Sequence, residues 1–260
     1  MVSVLNNHCP PELYDIIYAD IRDDIPFWVA EARTAPGPVL ELCCGTGRVL
    51  IPCLEAGVQV EGLDLAGSML DHCRAKLDAR GLGAWVGIGD MRDFERPRRY
   101  ALITIPFNSF LHNLTQADQI ATLERCHAHL EPGGRLMLNV FHPSARKLVE
   151  HDGTPRVIKT LPDPGGGSTR VIDATRCDPL EQRITVTRTV ERLEESGGVI
   201  ATHDMSFELR YVWKGELELL LTLAGFTRFA VEARTGYRQG FARKSSLEDG
   251  DHLVWTAWRG

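Results

Sequence analysis

The stretch "VLELCCGTGRVL", Val39 to Leu50, carries a short apolar run through two cysteines into a glycine-threonine-glycine turn, then back into apolar residues at helical spacing. A strand that delivers its carboxyl end to a Gly-x-Gly turn and a helix start lets bare backbone approach a ligand, because glycine has no Cβ. The dinucleotide fingerprint asks for a further glycine three residues after the second, and that position holds Leu50. The turn is a cradle without a pyrophosphate signature. The adjacent Cys43 and Cys44 admit two readings, a soft-metal thiol pair or small apolar residues entering a tight turn. The second is expected, since free cysteine packs as a small hydrophobe and no CxxC or His-x-Cys cluster accompanies the pair.

Working outward, strand and helix alternate. "PVLELCC" reads as a buried strand, "GRVLIPCLEAG" as a helix ending at Gly57, "VQVEGLDL" as a second strand, and "GSMLDHCRAKLDARG" as a helix from about Ser68 to Gly81. Strands at "AWVGIGD", "YALITIPF" and "GRLMLNVF" follow, with the helix "ADQIATLERCHAHLEPGG" between the last two and its "EPGG" tail as a turn. This alternation implies right-handed crossovers and a parallel sheet. Beyond His142 the pattern changes: "HDGTPRVIKTLPDPGGGSTR" reads as a mobile Gly- and Pro-rich loop. "TRVIDATR", "EQRITVTRTVERLEE" and "GVIATHDMSFELRYVW" then form an antiparallel meander. The helix "KGELELLLTLAGF" returns the chain to the sheet, which "TRFAVEA" and "DHLVWTAWRG" complete as an antiparallel pair.

Composition narrows the function classes. The 260 residues, 43% hydrophobic, support one substantial core with an elaboration. No apolar run is long enough to span a bilayer, and the first residues lack signal-peptide order, so a cytoplasmic protein without a membrane role is expected. A net charge of −6 and no basic run longer than "RPRR" disfavour nucleic acid; that tetrapeptide reads as a solvated loop before a strand. Seven scattered cysteines read as reduced thiols, with no disulfide and no metal.

Acidic residues mark successive strand tips: Glu41 within the first strand, Asp64 at the end of the second, Asp90 in "GDMRDF" at the end of the third. A carboxylate at the second tip suits the hydroxyls of a ribose. At the third, Asp90 suits an adenine amino group and Met91 its ring. In "ELCCGTGR", "GLDLAGSML", "GDMRDF", "PFNSFLHNL" and "LEPGGRLMLNVF" the chain resembles the class I S-adenosylmethionine-dependent methyltransferases, over about Tyr14 to His142. Within them it is similar to the bacterial small-molecule group that includes aminosugar N,N-dimethyltransferases.

The resemblance implies a Rossmann-like α/β fold, a seven-stranded, mostly parallel sheet with helices on both faces and an inserted antiparallel meander covering the active site. It implies an organisation of 1–36 as a helical cap, 37–150 with 214–260 as the cofactor-binding α/β domain, and 151–213 as the acceptor cover. It places Glu41, Cys43, Gly45 and Gly47 on the methionine side of S-adenosylmethionine, Asp64 on the ribose, and Asp90 and Met91 about the adenine. Tyr18, Thr46, Arg48, Leu65, Met69, Gly89, Pro106 and Phe107 complete the implied cofactor set.

Methyl transfer is a displacement at carbon, so in-line positioning supplies much of the catalysis, roughly 7–11 kcal/mol in ideal cases. A neutral amine needs no base, whereas a hydroxyl profits from one. Acceptor-side candidates are Asn108 and His112 past the fourth strand, His142 at the end of the fifth, and Tyr14, one helical turn before Tyr18. His127 and His129 are expected on a solvent-facing helix side. The expected partner is a small-molecule N or O acceptor, in a monomer or homodimer. The alternatives are a non-catalytic S-adenosylmethionine-binding subunit or sensor, a dehydrogenase, disfavoured by Leu50, and a macromolecular methyltransferase. The last is disfavoured by the acidic balance and by "IPFN" where an Asn/Asp-Pro-Pro-aromatic signature would stand.

Overall fold

Every residue of β1 (Val39–Leu42) and of β4 (Tyr100–Ile105) is buried, which requires cover on both sheet faces and suits interior strands of a parallel sheet. The computed structural model describes residues 9–144, 148–163 and 165–260. It divides into two compact units, Asp20–His142 with Val212–Gly260, and the described parts of Met1–Ala19 with Pro143–Tyr211.

The first unit is built on a seven-stranded sheet. With β2 (Val60–Asp64), β3 (Val86–Ile88), β5 (Leu130–Phe141), β10 (Arg228–Arg234) and β11 (His252–Trp258), the order is β10-β11-β5-β4-β1-β2-β3. The strands β1 to β5 pair in parallel, and β11 runs against both β5 and β10. The helices are α2 (Ile25–Arg33), α3 (Leu50–Glu55), α4 (Gly67–Asp78), α5 (Gln116–His129) and α6 (Lys214–Leu223). The fold is Rossmann-like α/β, as the resemblance implies, with the parallel strands that the strand–helix alternation predicts. α5 starts on a side-chain cap, Thr115 Oγ1 accepting from the Asp118 N–H at 3.0 Å. The "EPGG" stretch lies inside β5 rather than in a separate turn, with a register irregularity against β4 between Tyr100 and Leu102.

In the second unit, β6 (Asp152–Pro162), β7 (Ser168–Asp178), β8 (Arg183–Leu193) and β9 (Val199–Arg210) form a four-stranded antiparallel sheet in that order. α1 (Pro11–Ile17) belongs to this unit, and its Ile17 shares a buried cluster with Val171, Val190 and Met205. Of the expected cap 1–36, the described residues up to Ala19 are grouped with this unit and those from Asp20 with the first.

The mobile loop expected after His151 is corrected: most of it is β6. Val157 to Leu161 is a β-capable run that finds partners along β7, and an edge strand tolerates Pro155, which has no N–H to donate. The glycines form its hairpin turn, where the Gly166 N–H donates to Asp163 O at 3.1 Å. Gly167 has φ 81°, and a Cβ there would lie 2.1 Å from Leu193 O.

Candidate active site

The turn after β1 is built from left-handed backbone: Cys43 at φ 57°, Gly45 at 54° and Gly47 at 85°. Cys43 is the unusual member, since an L side chain rarely adopts that region. The Gly45 N–H and the Ala66 N–H donate to the two oxygens of Asp64, each at 2.8 Å, so the tip of β2 clamps the turn after β1. A Cβ on Gly45 would meet no atom nearer than Asp64 Oδ2 at 4.0 Å, which leaves the space above the turn open. On Gly47 it would strike Cys73 Sγ at 2.8 Å, so that glycine seats the turn against α4. Thr46 is fully buried, Leu65 is exposed and Met69 half-buried.

Beneath the turn lies Glu41, 4% exposed. Burial pushes its carboxyl up to about 8; the Arg48 guanidinium opposes this, and Asp24 and Asp64 add to it. Arg48 forks onto the fully buried Asp24 at 2.7 and 2.8 Å, reaches Ile21 O at 3.1 Å, and lies 4.4 Å over the Phe107 ring. Its guanidinium therefore ties α2 to the turn.

The third tip is joined to the first through sulfur. Met91 Sδ stands 3.7 Å from Cys43 Sγ and accepts from Asn113 Nδ2 at 3.6 Å. The Asp90 carboxylate receives Arg92 Nε and Nη2 and the Arg92 backbone N–H, and those hydrogen bonds hold it below the usual carboxylate range. Gly89 packs tightly on Leu63, whose Cδ1 would lie 2.6 Å from a Cβ.

Past β4, the buried Pro106 is followed by two consecutive non-glycine residues in left-handed backbone, Phe107 at φ 60° and Asn108 at 63°. Such strain persists only where surroundings over-determine it. The determinant is Asn139 of β5, fully buried: its Oδ1 accepts the Phe107 N–H at 2.8 Å, and its Nδ2 reaches the Tyr237 hydroxyl at 2.5 Å and Asn108 Oδ1 at 3.4 Å. Tyr237 stacks on Phe241 and stands 4.9 Å from the Phe107 ring. Neither Asn139 nor Tyr237 is among the residues expected from sequence. Asn139 carries a signal, being the one amide in the buried run "LMLNVF", and a buried amide must find partners.

The other acceptor-side candidates are more scattered. His142 is half-buried at the end of β5, its Nδ1 3.3 Å from Gly250 O. His112 closes the short helical turn Ser109–His112 with its side chain exposed. Tyr14 and Tyr18 lie in the second unit with ring centroids 4.6 Å apart, and the Tyr18 hydroxyl accepts from Arg188 Nη1 at 2.7 Å. The solvent-facing reading of His129 is corrected: it is 6% exposed, packed on Phe94 with centroids 4.5 Å apart, because it continues the buried face of Leu123 and Cys126. His127 is half-buried edge-on to Phe226. Among the described residues no helix is long and apolar enough to cross a membrane.

The tips of β1, β2 and β3 thus meet around an open cradle, as a nucleoside-bearing ligand requires. A methyltransferase-domain family model matches residues 39–134. The chain is 35% identical to a dTDP-3-amino-3,6-dideoxy-alpha-D-glucopyranose N,N-dimethyltransferase of Streptomyces fradiae, across 83% of each chain. It belongs to the S-adenosylmethionine-dependent methyltransferases. The methyltransferase is also 31% identical to the cypemycin N-terminal methyltransferase of a Streptomyces species, over 82% of this chain and 83% of the relative. Among solved structures it resembles the CcbJ methyltransferase of Streptomyces caelestis, with a TM-score of 0.74 and 28% identity, over 92% of this chain and 88% of that one.

The residues present in the methyltransferase fit its cofactor. The space over Gly45 is open, the Asp64 carboxylate is fixed beside it, and the soft Cys43–Met91 sulfur pair lines the cradle between β1 and β3.

Proposed function

We propose that the methyltransferase methylates the neutral amine of a small molecule, with an aminosugar as the first choice of acceptor. One observation carries this: the 35% identity, over 83% of both chains, to an enzyme whose name specifies a nucleotide-linked aminosugar. Bound in the cradle, S-adenosylmethionine supplies an electrophilic methyl group. The chain's own task is to orient. The Gly45–Gly47 turn and Asp64 position the cofactor, Asp90 and Met91 frame its adenine, and Asn108 and His142 meet the nucleophile, with His112 as a further contact. An amine attacks with its lone pair and needs no base beforehand, so positioning accounts for the rate. The likeness to a peptide N-terminal methyltransferase supports a second acceptor, a peptide α-amine.

The test is transfer from methyl-labelled cofactor to a panel of nucleotide-linked aminosugars, short peptides with free N-termini, and hydroxylated aromatics. Methylation of the aminosugar amine is the expected result, methylation of peptides alone selects the second reading, and methylation of hydroxyls without amines overturns both.

A further inference from the structure

The connection from β3 to β4 and the end of α5 enclose a cavity of about 290 Å³, lined by Glu95, Arg96, Arg98, Arg99, Arg125 and His129. Its walls lead into the first residues of β4 and β5, Tyr100 and Leu130, whereas the cofactor cradle stands at the far ends of the parallel strands. The six residues of β4 separate the two places by about 20 Å at ~3.3 Å per residue.

Four arginines line this cavity, two carboxylates, Glu61 and Glu95, pair with three of them, and Arg125 also donates to Phe94 O at 2.8 and 3.1 Å. Glu61 is fixed: it accepts from Arg96 Nη2 at 2.8 Å, Arg98 Nη1 at 3.0 Å and the Tyr100 hydroxyl at 2.7 Å. Arg96 is further locked 3.4 Å over the Trp85 ring. These bonds hold Arg96 and Arg98 in one geometry and leave most of their N–H donors uncommitted.

Glu95 is the opposite case. Its side chain is 74% exposed and folds back so that Oε1 accepts from Arg125 Nη2. The other oxygen lies 3.2 Å from His129 Nε2. His129 Nδ1 pairs with Arg125 O at 2.8 Å, so in the neutral ring Nε2 is the acceptor edge, and it already takes the Arg96 N–H at 3.2 Å. Glu95 therefore presents one oxygen to a donor and the other to a lone pair. Arg99, exposed at the rim, completes the basic wall.

We infer that this cavity binds a phosphate-class oxyanion, inorganic phosphate or the phosphoryl group of a small metabolite, which replaces the Glu95 carboxylate on Arg125 and recruits Arg99. Guanidinium groups favour tetrahedral oxyanions through paired, charge-assisted N–H bonds. The volume admits a phosphoryl group with a small attached fragment and no more.

The experiment is calorimetric titration of the full chain with inorganic phosphate and with a hexose phosphate, at constant ionic strength held by chloride. Wild type should bind saturably; Glu95→Gln, which removes the internal carboxylate, should bind at least about threefold more tightly; Arg99→Ala should bind about two- to fivefold more weakly, as loss of an exposed charge contact does. S-adenosylhomocysteine affinity, unchanged in both variants, certifies the fold. Tighter binding of the hexose phosphate identifies a metabolite and equal binding the free ion, and either supports the site. Absence of saturable binding in wild type and Glu95→Gln overturns the proposal, as does equal affinity in all three proteins.

Discussion

A Cβ on Gly62 would lie 2.5 Å from Leu50 Cδ1 and 2.8 Å from Cys44 Sγ. The small residue that the cradle lacks at position 50 is supplied across the interface, on β2, so Leu50 can be large and the helix still packs closely. Gly62→Ala should therefore destabilise the protein by about 1–3 kcal/mol, the usual cost of overpacking a closed core. Urea denaturation measures this, and Leu50→Ala should cost less in this variant than in the wild type, because it relieves the clash. Glu41 makes stability depend on pH. Its carboxyl is raised from 4.5 to about 8, so the folded protein holds a proton that the unfolded chain releases. That contribution is fully present below pH 4.5 and is lost as pH rises through about 8. Stability of the cofactor-free protein should fall over that window by a few kcal/mol, since a tenfold difference in proton affinity between the folded and unfolded chain is worth about 1.4 kcal/mol. Glu41→Gln, a neutral isostere, should flatten the slope in thermal melts taken from pH 5 to 8.

At the scale of elements, the Asn139 amide of β5 bonds the strained Phe107–Asn108 pair that follows β4. Asn139→Ala removes the amide that accepts the Phe107 N–H and bonds the Tyr237 hydroxyl, at a cost of about 1–3 kcal/mol. Turnover should fall much further than S-adenosylhomocysteine affinity if, as proposed, Asn108 meets the acceptor while most cofactor contacts come from the tips of β1 to β3. Kinetics beside calorimetry decide this; equal losses would mean the loop supports the cofactor instead. The strands from β1 to β5 are legible in the sequence because each is a largely apolar run that ends in, or is followed within three residues by, Gly, Asp or Pro, and the acids at the tips of the second and third mark the cradle. β6 is not legible, since Pro155 and the glycines of the turn read as breakers until a pairing partner on β7 is known. His129 is legible in hindsight: it stands three residues after Cys126 on a helix already burying Gln119, Thr122 and Leu123. The Asn139–Tyr237 contact joins residues 98 apart, and no local spacing announces it.

For the molecule as a whole, the arrangement of β11 matters most. It is the last strand of the large sheet in chain order, yet it lies inside, bonded to β5 on one side and β10 on the other. Val254, 1% exposed, faces Asn139 across one ladder and Glu232 across the other. Val254→Pro removes a backbone donor from the middle of the sheet and should abolish cooperative folding of the first unit, read as loss of soluble protein and of its thermal transition. The same substitution at Val157, on the edge strand β6, should be far milder, with a soluble protein and a retained melt.

That interior position sets a problem of timing during synthesis. At about 5–20 residues per second, a ribosome takes roughly 5–20 s to travel from Phe141 to His252. Through that interval β5, with Leu136, Leu138 and Val140 along it, has β4 on one flank and an open row of backbone donors and acceptors on the other. An open, apolar strand edge recruits foreign strands. The nascent chain is therefore most vulnerable while the meander is being made, and rare codons placed between residues 143 and 211 should lower the soluble yield more than the same codons placed before β4.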